Sequence, residues 1–130
     1  MTDLSSFLRR ILAVDAVTCT AAGALMAFGA GVLAPITGLP QPLLLWAGVI
    51  LFPVAALMAV LSRRATAPTA LVWLVILGNA GWVAASIAVL FLTQPTALGT
   101  AFVVAQAAAV AVLTVLEWRA ATTRPSFAAA

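Results

Sequence analysis

Four long apolar runs, at 9–33, 43–61, 69–92 and 97–118, take up most of this chain and decide what it can fold into. The first begins at Phe7 or Arg9. A bilayer's hydrocarbon core is about 30 Å thick and a helical crossing takes about 20 residues, so each run is long enough to span it. Only 7% of the 130 residues are charged, against about 25% in soluble domains, whose surfaces must face water. The mean hydropathy is +1.23. The folded surface must therefore face lipid. Transmembrane β-strands alternate apolar and polar positions, whereas these runs are continuously apolar and rich in Ala and Leu. The expected fold is all-α: one transmembrane domain over 1–130, an up-down-up-down four-helix bundle with a flexible tail at 120–130.

The punctuation between the runs sets the expected boundaries. Pro35 and Gly38 stop the first helix, and Pro40 and Pro42 precede the second, which Ser62-Arg63-Arg64 follow. Pro68 opens the third and Gln94-Pro95 close it, while Glu117-Trp118-Arg119 end the fourth. Arg9 and Arg10 before an apolar stretch look like the start of a secretory signal. Signal h-regions span only about 7–15 residues, however, and the first run is longer and carries Asp15, so a retained helix is expected.

All six basic residues are arginines: Arg9, Arg10, Arg63, Arg64, Arg119 and Arg124. With four crossings the three places they occupy share one side, and the other two loops, 34–41 and 93–96, carry no charge. The positive-inside rule then puts both termini in the cytoplasm. Trp46, Trp73 and Trp118 lie near helix ends, at the depth indole rings prefer. Nucleic-acid binders gather their basic residues on a water-facing patch; here the arginines mark helix ends, so no nucleic-acid partner is expected.

A single cysteine, Cys19, excludes an intramolecular disulfide and a cysteine-cluster metal site. No histidine is present, which removes imidazole ligation and the commonest general base. Acid–base work would rest on Asp15 and Glu117 alone, without a nucleophile beside them. No enzyme, metal or cofactor is expected. Arginine in place of lysine and abundant alanine suggest a GC-rich bacterial genome, so the expected location is the bacterial plasma (inner) membrane.

Polar residues inside apolar runs mark where helices face one another or a site. At about 1.5 Å of rise per residue, Thr18 and Thr20, Asn79 and Gln106 fall at similar depth on three helices. Pro53 on the remaining helix frees the Val49 carbonyl of its usual donor. Asn79 is expected to join Gln106, a threonine hydroxyl or that carbonyl, as interhelical glue or as a site for a small polar solute. Asn79, Trp82 and Ser86 follow the i, i+3, i+7 spacing of one helix face, and a buried Trp82 indole needs an acceptor. Asp15 and Glu117 are read as acids at the cytoplasmic rim, paired with Arg10, Arg63, Arg64 or Arg119, or as carboxylates that couple protons or cations. Cys19, Gly23, Ala27 and Gly31 form one small-residue stripe, and Ala97, Ala101, Ala105 and Ala109 another. Such stripes let helices approach closely, here the first and fourth helices or two copies of the chain.

Three resemblances follow. The layout is similar in architecture to the small multidrug-resistance transporters, which place an acidic residue in helix 1; Asp15 lies nearer the rim than theirs, and their aromatic pattern is missing. The small fluoride channels share the size without their Phe/Asn/Thr filter pattern. Gly78-Asn79-Ala80-Gly81-Trp82-Val83, Pro95-Thr96-Ala97-Leu98-Gly99 and Phe102-Val103-Val104-Ala105-Gln106 resemble an uncharacterised family of small bacterial four-helix inner-membrane proteins, which implies the fold and no activity. The leading expectation is a non-enzymatic oligomeric or accessory membrane component whose partners are lipids, other transmembrane helices or further copies of itself. The alternative is a small transporter or channel for a polar, cationic or lipophilic solute that uses the midplane polar layer.

Overall fold

Ser5 starts the first helix: its hydroxyl accepts from the Leu8 N–H at 3.1 Å in the computed structural model of the protein, which describes residues 1–122. A serine in this position satisfies one of the N–H groups that a helix leaves without a partner. Helix α1 (Ser6–Thr37) then runs through Pro35 and ends at Gly38, whose left-handed backbone (φ 72°) returns its N–H to the Ala34 carbonyl. The expectation that Pro35 ends the helix is corrected, because a proline in a last turn removes a single hydrogen bond. Helix α2 (Gln41–Ser62) takes Pro42 into its first turn, where a missing N–H costs nothing. Helix α3 covers Thr69–Leu92, and α4 runs Ala97–Thr122, past the expected stop at Trp118. Residues 120–122 of the expected tail thus belong to α4; its remainder, with Arg124, lies outside the described residues.

Each of the four helices is long and apolar enough to cross a membrane. Two short strands, β1 (Thr2–Asp3) and β2 (Thr66–Ala67), pair antiparallel, and Leu4 N–H donates to the Ala65 carbonyl at 2.8 Å. The chain before α1 is therefore tied to the link between α2 and α3. At another place the two tight turns touch: Thr96 donates its N–H to the Thr37 carbonyl at 2.9 Å and its hydroxyl to that of Ile36 at 2.7 Å.

Lipid tails are as apolar as leucine, so helices in a membrane associate mainly through close packing and interhelical hydrogen bonds. Helix α1 approaches α2 closely, where a Cβ added to Gly48 would stand 2.5 Å from the Ala27 nitrogen. The stripe Cys19, Gly23, Ala27 and Gly31 thus serves α1 against α2 at Gly23 and Ala27, rather than against α4. A Cβ at Gly99 would collide with the Thr37 carbonyl, so α4 presses its own glycine against the end of α1. Ala97, Ala101, Ala105 and Ala109 are all exposed.

Candidate functional site

The buried faces of three helices converge on one cluster. On α1 the buried positions Leu8, Leu12, Asp15, Cys19, Gly23 and Met26 recur every three or four residues, which puts Asp15 on the inward face. On α3 Val72, Val75, Ile76, Asn79 and Ser86 form the corresponding face, and on α4 Val103, Ala107, Leu113 and Glu117 do. Asp15 and Glu117 are each 0% exposed. Asn79 stands between them and donates from one nitrogen to both, at 2.7 Å to Asp15 Oδ2 and 2.8 Å to Glu117 Oε1. The amide is oriented by this contact, since its oxygen turned the other way would meet two further acceptors. The Cys19 thiol donates weakly to Asp15 Oδ1 at 3.5 Å.

Asp15 and Glu117 therefore make no arginine ion pair among the described residues. The expected pairing at the rim is corrected because the acids occupy the inward helix faces, whereas Arg10, Arg63, Arg64 and Arg119 are exposed. Asn79 is corrected with them: both of its N–H groups go to the acids, so it bonds neither Gln106, nor a threonine, nor the Val49 carbonyl. Charged acceptors make hydrogen bonds about twice as strong as neutral ones, and the carboxyls win the competition.

The rest of the expected layer gathers elsewhere. The Trp82 indole N–H donates to Gln106 Oε1 at 2.7 Å. Gln106 Nε2 donates to Ser86 Oγ at 2.9 Å and to the Val103 carbonyl at 3.1 Å, and the Ser86 hydroxyl returns to the Trp82 carbonyl at 2.8 Å. Thr18 and Thr20 join neither cluster; their hydroxyls donate to the carbonyls of Val14 and Ala16 one turn back on α1.

Beside these clusters the helices part. Helix α1 packs along α2, α3 packs along α4 and α1 meets α4, but α2 and α3 scarcely touch. Two cavities of about 450 and 520 Å³ lie along this gap and share Met26, Ile50, Trp82, Phe102 and Gln106 in their walls. The larger one reaches Asn79, Cys19 and Thr18, and Pro53 lines its α2 side. Trp82, Gln106 and Ser86 in its wall are already spent on one another, and most of the surface the cleft offers an occupant is apolar.

Sequence reasoning placed Asn79, Asp15 and Glu117 apart, although one signal joins them. Asn79 is the sole asparagine, and Asp15 and Glu117 are two of only three acids; in hydrocarbon such groups find each other. No family model matches the chain, and neither a curated protein nor a solved structure does.

Proposed function

We propose that this chain is a multi-pass protein of a bacterial plasma membrane, with both termini in the cytoplasm, and that it holds a lipophilic molecule in the cleft between α2 and α3. The gap itself carries the reading. A bundle interface that is merely structural closes on itself as α1 and α2 do, while here two neighbouring helices leave cavities of about 450 and 520 Å³. Those volumes lie within the roughly 300–1,000 Å³ of small-molecule sites. Walls built from Met26, Ile50, Leu51, Val54 and Phe102 suit an acyl chain or a similar apolar solute and offer nothing to a hydrated ion.

The paired strands support the up-down-up-down arrangement, since they tie the N-terminus, beside Arg9 and Arg10, to the α2–α3 link that carries Arg63 and Arg64. The touching turns at Thr37 and Thr96 support it from the uncharged loops. Cysteines replacing Arg64 and Gln94 in a Cys19→Ala background should label from opposite sides of the membrane; labelling from one side would end this topology.

A second reading, an oligomeric or accessory component, draws on the exposed alanine stripe of α4, a surface through which helices of separate chains can pack closely. Neither reading involves catalysis. A protein that keeps Trp82 and has Phe at Trp46, Trp73 and Trp118 separates the two. A fatty acid brominated along its chain should quench Trp82 saturably in micelles. Gly78→Phe, built where an added Cβ meets nothing within 4 Å, should fill the larger cavity and abolish the saturation while the protein stays folded. Quenching that never saturates, or is unchanged by Gly78→Phe, would refute cleft binding and leave the oligomeric reading.

A further inference from the structure

Glu117 Oε2 is the one fully buried side-chain oxygen or nitrogen among the described residues with no hydrogen-bond partner. Its sister oxygen receives Asn79, and its own residue is 0% exposed. The two carboxyls face each other across a single nitrogen, since Asn79 Nδ2 lies 2.7 Å from Asp15 Oδ2 and 2.8 Å from Glu117 Oε1. While both carboxyls are ionised neither can satisfy the other's oxygens, because neither has a proton to donate. Two like charges held by a single amide in a low-dielectric interior also repel strongly. One positive charge between them removes both problems.

We infer that Asp15, Glu117 and Asn79 form a buried site for one exchangeable proton, carried on Glu117 Oε2 and donated to Asp15. The proton gives every carboxyl oxygen of the set a hydrogen-bond partner. Asn79 donates to each carboxyl, the protonated Glu117 donates to Asp15, and Cys19 supplies a weak fourth bond. The site joins α1, α3 and α4 at one point and lies directly behind Asn79, whose amide also lines the larger cavity. The inference goes beyond the cleft and stands without it.

Among the described residues no other titratable group faces the pair. Helices α2 and α3 carry none at all, α1 contributes only Cys19 beside Asp15, and Arg119 on α4 is exposed two residues beyond Glu117. The unfolded chain, with its carboxyls in water, gives up their protons near the ordinary carboxylate range around pH 4. The native state then binds more protons than the unfolded one at neutral pH, so stability falls as pH rises. One proton corresponds to a tenfold change in the folding equilibrium per pH unit.

The test measures reversible unfolding of the full chain in mixed micelles from pH 5 to 8. The wild type should lose about tenfold in its folding constant per pH unit. Glu117→Gln, whose amide donates where the proton did, should be flat, and Cys19→Ala should keep the slope. The wild type at pH 7 should also show the infrared carbonyl band of a protonated carboxylic acid, a reading that stands even where Glu117→Gln fails to fold. A flat wild-type profile overturns the proposal, as does a slope that survives in Glu117→Gln or vanishes in Cys19→Ala. So does an absent band. Stability that responds to sodium at fixed pH, and not to pH, would assign the site to a metal cation and overturn the proton.

Discussion

In the cluster of Trp82, Gln106 and Ser86 every polar group has found an uncharged partner, and the network rests against the open cleft. In the cluster of Asp15, Glu117 and Asn79 two charged-type acceptors share one donor nitrogen, and an oxygen is left over in the fully buried interior. Both use side chains from α3 and α4, about one to two helical turns apart on α3 and about three on α4. What separates them is the arithmetic of donors and acceptors. A closed network is glue whose strength is that of ordinary interhelical bonds, and an open one is a site, because something from outside must complete it.

The largest effect should come from removing the shared donor. Asn79→Leu strips both carboxyls of their strongest bonds and leaves them buried, and should cost about 2–3 kcal/mol in unfolding experiments in micelles. Gln106→Leu breaks the neutral network next to a surface that lipid can reach, and should cost about 1 kcal/mol, in the range of interhelical bonds in membranes. Equal losses at the two positions would erase the distinction between them. The smallest expected quantity is their coupling. Asn79 and Gln106 share no partner, so the double substitution should be additive within about 0.5 kcal/mol. A coupling well above that would mean that the two clusters act as one layer, as depth alone suggests.

Much of the fold is legible in the sequence, and the reason is length. A run such as 69–92 between Pro68 and Pro95 has few alternatives to a membrane-long helix. Boundaries are less legible where proline sits in a first or last turn, since Pro35 and Pro42 are tolerated there and look like stops. That error propagates to the site. Taking α4 to end at Trp118 sets Glu117 at the rim, whereas the helix continues to Thr122 and carries the acid about a turn deeper. The larger gap is rotational. Depth along a helix follows from residue count, but whether Asp15 points at an arginine or at Asn79 depends on how α1 is turned about its axis. That is fixed by the contact at Gly48, which hydropathy does not register. The cleft is illegible for a similar reason: Met26, Ile50 and Phe102 are apolar whether they face lipid, a neighbouring helix or a cavity.

The parting of α2 and α3 has a consequence for how any ligand must be measured. A molecule reaching a cleft between two membrane-long helices comes out of the bilayer, so the competitor it displaces is a lipid chain and the reference phase is oil. Transfer from one oil-like medium to another yields almost no hydrophobic gain, and selectivity is left to shape and to the few ångströms around Trp82. Apparent affinities expressed per litre of water will therefore rank compounds by how well they dissolve in the membrane. Expressed as mole fraction in the lipid, the same data will rank them by fit.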